Sequence, residues 1–555
     1  MAQITFHPSN KTIQADSGTT ILEAAQKARI IIESPCNKAG TCGKCKVRIS
    51  GESVPNVVSK GRHHLSAKEV KEGYVLSCQT EIKGDITVEI LETNNNRTLK
   101  ILSFGKSFNA DIDSHIVKKY VKNLDKTLIT AGSEVIGTEE GNTEKCSYGV
   151  VVDIGTTTLV TSLVDLISGR EIGSVSSLNP QAILAQDVLS RIKFASDENG
   201  LETMYEKIIA EIRLMVEQLS SEYGVERKHI YEAVFSGNTC MIHLAAGVTP
   251  YSLGQYPYTP KISGGEHLKA SDHKIGISDF GLIYIPPVIS AYVGADITSG
   301  ILASQLYDEK GVTLFVDIGT NGEMAVYSEG KIYSTSTAAG PAFEGMNITY
   351  GMRAGMGAVE LFNIEDNGSI TINTIGNTKS KGICGSGLLD IVGELVAHGV
   401  INQNGKFAAG KELPSYLAER LFINEGKTVF KITEDIFLSQ KDIRQVQLAK
   451  GAVRAGIEFL LRGAGVDASQ VGKVLIAGSF GYHLRAKSLI NIGLLPREFE
   501  DRIEFLGNTS KTGGQVFLTN KNYRGFMQDI VKKVQVVELA NYKDFDKVFV
   551  KALGF

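Results

Sequence analysis

Hydrophobic and polar residues alternate through the first segment, AQITFHPSNKTIQA, around a polar turn at Ser9 and Asn10. This period of two predicts a two-stranded hairpin. Apolar residues then recur at helical spacing in ILEAAQKARI, which predicts a helix capped by Ser17 or Thr19. Strands are predicted again at KVRISG and DITVEI. The pattern therefore predicts a small domain of hairpin, helix and strands over residues 1–93.

One longer pattern occurs twice in the rest of the chain. Residues 149–172 are GVVVDIGTTTLVTSLVDLISGREI, and residues 312–333 are VTLFVDIGTNGEMAVYSEGKIY. Each gives a buried strand, the letters DIGT, and a second strand closed by a glycine turn. A third segment, VGKVLIAGSFGYHL, runs a buried strand into a glycine-rich turn and then a helix. The two DIGT segments therefore indicate two copies of one supersecondary unit in the large region.

The connecting residues 94–145 have a mixed pattern. DSHIVKKYVKNLDKTL has helical spacing, and GTEEGNTEK is a polar strip. These features predict a small linker module that ends in a flexible strip and whose charges lie on solvated faces.

Composition excludes several classes of function. The net charge of -3 and pI near 6.4 give no broad basic field, so we expect no nucleic-acid partner. No apolar run approaches the roughly 20 residues that cross a bilayer, and the start lacks a signal-peptide pattern. We therefore expect a cytoplasmic protein with no membrane partner. Four of the seven cysteines fall in the first 80 residues, which in a reducing compartment indicates a metal site.

The candidate metal ligands are Cys36, Cys42, Cys45 and Cys78. A 2Fe-2S cluster takes four thiolates, and Gly40 and Gly43 would let backbone amides approach its sulfides. The spacing C-x5-C-x2-C has one residue more than the plant-type loop. It resembles that of adrenodoxin-type 2Fe-2S ferredoxins, whose β-grasp fold has a similar order of elements. Structural zinc is the alternative, although only two of the cysteines form a CxxC pair.

The two DIGT turns carry groups suited to phosphate and magnesium. Gly155 and Gly319 permit tight turns, and the amides and hydroxyls that follow can form an anion-binding nest. Asp153 and Asp317 can hold hydrated Mg²⁺ and are the predicted catalytic residues. The chain contains no GxxxxGK[ST] motif, so this is not a P-loop site. A single DIGT could be only a hairpin turn, whereas the three segments together favour a nucleotide site.

With these segments the chain resembles the acetate and sugar kinase, heat-shock and actin superfamily of ATPases. In that family the two hairpins are phosphate motifs and the AGSFG stretch is the adenosine motif. The resemblance implies ATP and Mg²⁺ between two lobes of ribonuclease-H type, with Gly237, Asn238 and Thr239 as a connecting element. The predicted fold is α/β multidomain: a β-grasp ferredoxin over 1–93, a linker module over 94–145, and ATPase subdomains over 146–310 and 311–555.

Two further segments are candidates for the nucleotide site. KGICGSGLLDIVGELV places glycines at a helix start, where amides favour an anion, but close packing of a turn explains them as well. Gln447 and Lys450 could flank adenine or lie on a solvated helix face. The predicted nucleotide-binding residues are Gly155, Thr156, Thr157, Thr158, Gly319, Thr320, Asn321, Gly322, Gly385, Ser386, Gly387, Gly478, Ser479, Phe480, Gly481 and Lys450.

A 2Fe-2S ferredoxin joined to such an ATPase resembles the reductive activators of corrinoid enzymes, and the resemblance covers essentially all 555 residues. It includes the phrases NPQAILAQDVLSRI, FSGNTCMIHL, AAGPAFEGMNI and ICGSGLLDI, with Gln186 where the family pattern has glycine. The resemblance implies ATP-dependent transfer of one electron that returns an inactive Co(II) corrinoid to Co(I). The implied partners are a corrinoid protein, of a methyltransferase system or of the corrinoid iron-sulfur type, and an upstream low-potential electron donor.

Other functions stay open at this point. One is an ATP-dependent activator of another low-potential enzyme, similar to the activators of 2-hydroxyacyl-CoA dehydratases, although those lack a ferredoxin domain. A second is a redox and nucleotide sensor that controls a partner without delivering electrons. A third is a small-molecule kinase. The sequence also leaves open whether the protein forms a homodimer.

Overall fold

The structure is a computed structural model of the chain. It describes residues 2–7, 11–28, 32, 45–61, 65, 67–90, 98–102, 107–185, 187–345, 347–352, 354–365, 367–478 and 484–555. The chain divides into two compact units, Met1–Arg97 and Thr98–Phe555.

The first unit is built on a five-stranded mixed sheet with the strand order β2-β1-β7-β3-β5. Its elements are β1 Ala2–His7, β2 Lys11–Ala15, α1 Ile21–Lys27, β3 Lys46–Ile49, β4 Val57–Ser59, α2 Ala67–Lys71, β5 Tyr74–Leu76, β6 Thr80–Ile82 and β7 Ile86–Glu89. The predicted hairpin is β1 and β2, whose register pairs Ile4 with Ile13. Alternate residues of β1 point inward, so Ile4 and Phe6 pack with α1 in a closed core.

The cap of α1 differs from the prediction. Thr20 occupies this position, not Ser17 or Thr19, because its hydroxyl accepts from the Glu23 amide at 3.2 Å. The Glu23 carboxylate in turn accepts from the Thr20 amide at 3.1 Å. This reciprocal capping box satisfies two backbone donors that a helix start leaves without intrahelical partners.

The second unit begins with strands where the sequence pattern predicted a linker with helical spacing. They are β8 Thr98–Leu102, β9 Ser107–Asp111, β10 Ile116–Val121, β11 Lys126–Ala131 and β12 Glu134–Glu140. The last three form an antiparallel sheet, so the predicted helix and flexible strip were wrong. Lys118 misled the helical interpretation because its side chain is buried: the ammonium donates to Glu139 at 2.8 Å and to the Tyr231 hydroxyl at 2.7 Å.

Two six-stranded sheets form the two lobes of the rest of this unit. Lobe I has the order β15-β14-β13-β16-β18-β17. Its elements are β13 Tyr148–Ile154, β14 Thr158–Asp165, β15 Glu171–Leu178, α3 Val188–Ala195, α4 Gly200–Tyr223, β16 Ile230–Gly237, α5 Thr239–Ala245, β17 Glu266–Lys269, α6 Ala270–His273, β18 Leu282–Ile285 and α7 Ala295–Ser304.

Lobe II has a sheet with the order β29-β28-β19-β20-β21-β30, plus two small sheets inserted after β21. Its elements are β19 Thr313–Ile318, β20 Gly322–Ser328, β21 Lys331–Thr337, β22 Ala358–Ile364, β23 Ile370–Thr374, β24 Gly382–Ile383, α8 Gly385–Ala397, α9 Ser415–Ala418, β25 Leu421–Asn424, β26 Lys427–Lys431, β27 Phe437–Ser439, α10 Gln440–Ala464, β28 Lys473–Ala477, α11 Ala486–Asn491, β29 Ile503–Gly507, α12 Thr509–Thr519, α13 Asn522–Val531, β30 Gln535–Val536 and α14 Phe545–Ala552.

The two lobes repeat one topology. In each sheet the first strand is central. On one side the second strand pairs antiparallel with it and the third pairs antiparallel with the second. On the other side a later strand pairs parallel with the first, and a further strand pairs parallel with that one. In both lobes the first and second strands are the hairpin predicted from DIGT. The predicted pair of ribonuclease-H-like lobes is therefore confirmed. Within the described part of the chain, no helix has the length and apolar composition needed to cross a bilayer.

Equivalent helices of the two lobes, α7 and α12, pack against each other between the sheets. Small residues let them approach closely: a Cβ on Gly513 would lie 2.0 Å from the Ser299 carbonyl oxygen. Gly300 similarly lies against the ring of Phe315, 2.6 Å from where its Cβ would be. The closeness of this helix pair fixes how the two lobes meet.

Substitution of Gly513 by alanine tests this contact. We expect G513A to destabilise the fold by about 1–3 kcal/mol, the usual cost of overpacking a well-packed core. Thermal unfolding of purified protein measures the effect. The matched control is G525A on α13, where a Cβ meets nothing within 4 Å and helix propensity favours alanine. Equal melting temperatures for the two variants would contradict a tight contact between α7 and α12.

Candidate nucleotide and iron-sulfur sites

A cleft between the lobes brings the two DIGT turns together. It holds about 630 Å³ of empty space, including space open to solvent. Its wall consists of the two turns, the starts of α5, α7 and α12, and the end of β28. The lining residues are Asp153, Gly155, Thr156, Thr157, Thr158, Val160, Asn238, Asp296, Asp317, Ile318, Gly319, Thr320, Asn321, Glu323, Glu344, Gly478, Asn508 and Ser510.

The two turns contact each other across the cleft. The Thr157 and Thr320 hydroxyls lie 2.8 Å apart, and the Thr320 hydroxyl donates to Glu344 at 2.5 Å. Gly155 is required in the first turn because a Cβ there would lie 2.4 Å from the Thr158 carbonyl oxygen. The hydroxyls predicted from sequence to face a phosphate therefore meet at one place, one from each lobe.

Five carboxylates converge on this cleft. Asp153 and Asp317 were predicted, whereas Asp296, Glu323 and Glu344 were not. Glu323 is buried and the other four are half-buried. The described lining residues include no lysine or arginine. Mg²⁺ in nucleotide sites takes one or two carboxylates with phosphate oxygens and waters, so this set of acidic groups is suited to hold it.

Burial raises the pKa values of Asp153, Asp296, Asp317 and Glu323. Loss of hydration raises the pKa of Asp296 to about 7, and the neighbouring Asp153 charge adds to the effect. Loss of hydration, followed by the Asp296 charge, raises the pKa of Asp317 and of Glu323 well above the ordinary range. Asn238 opposes this shift in Glu323, because its amide donates to Oε1 at 2.8 Å. Like charges thus oppose ionisation in the cleft, and a bound cation favours it.

The two DIGT aspartates have different surroundings although the repeat makes them equivalent. Asp153 accepts hydrogen bonds from Asn508 Nδ2 and Ser510 Oγ, both at 2.7 Å. Asp317 faces Asp296, the residue that corresponds to Ser510 at the start of α7, and among the described residues it has no hydrogen-bonded side-chain partner. Asp153 is therefore hydrogen-bonded by donors from lobe II, whereas Asp317 has a carboxylate, Asp296, at the equivalent position.

The unpredicted acids have only weak signals in the sequence. Glu323 is the single charged residue in GEMAVYS, an otherwise apolar strand, and a lone charge in such a strand indicates a functional site. Asp296 follows Gly294 at a helix start, a position that acids favour for helix-capping reasons alone. Only the tertiary fold brings these residues to the DIGT turns.

Other predicted nucleotide residues lie apart from the described cleft lining. Gly385, Ser386 and Gly387 begin α8, where a Cβ on Gly387 would lie 2.0 Å from the Val359 carbonyl oxygen, so close packing explains this glycine. The buried Lys450 donates to the Gly554 carbonyl, and Gln447 donates to that of Leu553 at 2.9 Å. These two side chains hold the last residues of the chain against α10.

The predicted residues Ser479, Phe480 and Gly481 lie outside the described residues, whereas Gly478 lines the cleft. Gly319, Thr320 and Asn321 also line it. Gly322 begins β20 directly after them.

Two of the predicted cluster ligands meet in the first unit. Antiparallel pairing of β3 with β5 places Cys45 beside Ser77, whose amide donates to the Cys45 carbonyl at 2.9 Å. The Cys45 and Cys78 Sγ atoms lie 3.1 Å apart without forming a disulfide. Cys36 and Cys42 lie outside the described residues. Convergence of two thiols that are 33 residues apart in the chain is what a shared iron cluster requires.

An apolar shell encloses these thiols. Leu22, Leu76 and the two cysteines form a buried group separate from the main core, with Ile32 and Leu65 packed against it. Water is therefore excluded from this side of the cluster site. A 2Fe-2S cluster becomes more negative on reduction, so a dry apolar shell holds its reduction potential low.

Comparison with known proteins agrees with both sites. Residues 4–83 match the 2Fe-2S iron-sulfur cluster binding domain, residues 148–309 the RACo middle region, and residues 311–555 the C-terminal domain of RACo, the ASKHA domain. Fold and sites together define an iron-sulfur protein with an actin-like ATPase domain.

Relatives along the whole chain define the family further. The corrinoid activation enzyme RamQ of Eubacterium limosum is 31% identical over 93% of this chain and 92% of its own. A [Co(II) methylated amine-specific corrinoid protein] reductase of Methanosarcina barkeri is 24% identical over 74% and 77%. The solved structure of a reductive activator for corrinoid, iron-sulfur protein has a TM-score of 0.76 and 30% identity, covering 100% of this chain and 98% of that one. The chain belongs to this family of ATP-dependent reductive activators of corrinoid proteins.

The apolar side chain of Leu76 should keep the reduction potential of the cluster low. We expect L76N to raise the reduction potential by on the order of tens of millivolts, because an amide beside the thiolates stabilises the more negative reduced state. A redox titration followed by electron paramagnetic resonance measures it. L76M keeps the volume and apolar character and should leave the potential unchanged. A potential in L76N equal to that of wild type would show that this shell does not tune the cluster.

Proposed function

We propose that this protein delivers one electron from its 2Fe-2S cluster to the Co(II) corrinoid of a partner protein, and that ATP drives the delivery. The observation that carries the proposal is the match along nearly the whole chain to a corrinoid activation enzyme and to a reductive activator, which covers both redox and nucleotide regions. When bound and reduced, the cluster would supply one electron, and the Co(II) of the partner protein would gain that electron and become Co(I).

The cluster is bound by Cys36, Cys42, Cys45 and Cys78. The convergence of Cys45 and Cys78 in the apolar pocket supports this assignment. When bound, the cluster supplies one electron at low potential, near -400 mV for plant-type centres. An upstream low-potential donor must reload it after each transfer. Four clustered thiols need a reducing compartment, so we place the protein in the cytoplasm.

ATP is needed because this electron transfer is thermodynamically unfavourable. Each 59 mV of mismatch lowers the equilibrium constant of a one-electron step about tenfold. A nucleotide can offset the mismatch only if it binds one conformation of the protein better than another. The shape of the cleft supports such a preference, because its walls come from two lobes and the Thr157 to Thr320 and Asn238 to Glu323 contacts join them.

In this proposal Asp317 and Asp296 would hold Mg²⁺, and the amides and hydroxyls of the two turns would bind the phosphates. Two observations support this location: among the described residues Asp317 has no hydrogen-bonded side-chain partner, and Asp153 already has two donors. Among the described residues no three His, Cys, Asp or Glu side chains form a complete metal cage. A cation completed by phosphates and water is consistent with that arrangement.

The proposal is tested by mixing purified protein with a Co(II) corrinoid protein, a low-potential reductant and MgATP. We expect the visible spectrum of Co(I) to appear only when ATP is present. C78S should abolish the change while ATP binding persists, because the cysteine belongs to the first unit. ATP hydrolysis without any Co(I) would favour a nucleotide sensor, and phosphorylation of a small molecule would favour a kinase.

The magnesium assignment is tested by D317N and its matched variant D153N. We expect D317N to raise the Mg²⁺ concentration needed for ATP binding by at least about tenfold. Tenfold is the low end of the loss in metal affinity when a residue that only contacts a metal ligand is changed. D153N should have a smaller effect, since Asp153 already has two donors. Titration of Mg²⁺ at fixed ATP measures both. The reverse order of the two variants would move the cation to Asp153.

A further inference from the structure

The segment NPQAILAQDVLSRI, which includes the motif residues Asn179 and Arg191, has no part in the function described so far. Its described residues form a short turn, Pro180–Ile183, and the helix α3 behind the first DIGT turn. Arg191 on α3 is completely buried. Its guanidinium donates to the Ala185 carbonyl at 3.0 Å, to Gln181 Oε1 at 3.1 Å, to Met241 Sδ at 2.8 Å and to the Thr156 carbonyl at 2.5 Å.

This segment holds three successive carbonyl groups of the first DIGT turn. Asn179 Nδ2 donates to the Gly155 carbonyl at 2.9 Å. Arg191 Nη2 donates to the next carbonyl, that of Thr156. The Asn179 backbone amide donates to the third, that of Thr157, at 2.8 Å. The orientation of the turn's peptide groups is therefore fixed from behind by two residues.

The orientation of a carbonyl decides where the next amide points. In a trans peptide the C=O of one residue and the N–H of the next point in opposite directions. Carbonyls held toward Asn179 and Arg191 thus direct the Thr156 and Thr157 N–H groups away from them. Both threonines line the cleft. Two successive N–H groups directed to one side form an anion-binding nest.

The positive charge of Arg191 also favours an anion at the first DIGT turn. All four of its acceptors are neutral, and the described part of the chain contains no ion pair that includes it. Burial lowers the pKa of Arg191 to about 10, so the guanidinium stays charged at neutral pH. Burial of a cation without an ion-paired carboxylate destabilises the folded state. Here it places positive charge behind a turn whose cleft otherwise contains five carboxylates.

We propose that Arg191 and Asn179 are positioning residues that hold the first DIGT turn in its phosphate-binding shape. The inference rests on the proposed function in that the ligand is a nucleotide phosphate. It differs from a general stabilising role, because only the phosphate part of the ligand faces these amides. Loss of either residue should therefore reduce affinity for ATP more than affinity for adenosine.

The experiment compares ATP and adenosine affinities of the full-length protein by calorimetry. We expect R191M to weaken ATP binding by at least about tenfold, which corresponds to loss of a hydrogen bond from a charged donor, with adenosine affinity changed less than about twofold. R191K keeps the charge but not the planar fork and should recover part of the ATP affinity. N179D, isosteric but without the donor to Gly155, should shift the same ratio if R191M does not fold.

The matched control is R524M. Arg524 is also buried, but it pairs with Glu232 at 2.9 Å and lies outside the cleft lining. Its loss should destabilise the protein and leave the ratio of ATP to adenosine affinity unchanged. Equal loss of both ligands in R191M, or unchanged ATP affinity, would overturn the positioning role alone. A wild-type protein that binds adenosine and ATP equally, or binds neither, would overturn the nucleotide function and this inference together.

Discussion

The structure depends on one electrostatic constraint: five carboxylates share a cleft in which no described lysine or arginine side chain faces them. Burial raises the pKa values of Asp296, Asp317 and Glu323, and the charges of neighbouring carboxylates raise them further. In the proposed function a magnesium nucleotide would relieve this repulsion, because a cation favours ionised carboxylates. Such a ligand would stabilise the conformation that brings the carboxylates of the two lobes together.

The repeat explains how one supersecondary unit supplies two different chemistries. Each lobe places an aspartate at the end of its first strand, and the start of the equivalent helix of the other lobe, α12 or α7, faces it. The start of α12 presents Asn508 and Ser510 to Asp153, and the start of α7 presents Asp296 to Asp317. Hydrogen-bond donors on one side of the cleft and a carboxylate on the other thus distinguish two positions that the repeat makes equivalent. The shared topology places the two aspartates at equivalent positions, and the residues that face them differ between the lobes.

Local patterns predicted the elements whose signal lies within a few residues. The DIGT hairpins, the opening hairpin and the two-lobed ATPase fold are of this kind. Sequence patterns gave wrong predictions where a tertiary contact, and not the neighbouring sequence, determines the surroundings of a side chain. Lys118 looked solvated, yet its ammonium is buried among Glu139 and Tyr231. For Lys450 the alternative of a solvated helix face was wrong, because the side chain is buried and donates to the Gly554 carbonyl, whereas its place beside adenine stays a prediction. Asp296 could not be assigned at all, because its role depends on a strand order that brings α7 to the second hairpin.

The helix α12 connects the cleft to the rest of the lobe I sheet. By sequence it belongs to lobe II, yet its first turn binds Asp153, and Lys511 on the same helix pairs with Glu171 of β15 at 2.9 Å. Beyond its last turn, Arg524 donates to the Phe517 carbonyl at 2.9 Å and pairs with Glu232 in the centre of the lobe I sheet. Anchored to lobe I at both ends and packed on α7, this helix ties lobe II to the lobe I sheet although the chain order places it in lobe II. The hydrogen bonds to Asp153 at its start and the Arg524 contacts beyond its last turn therefore hold the two lobes in one arrangement.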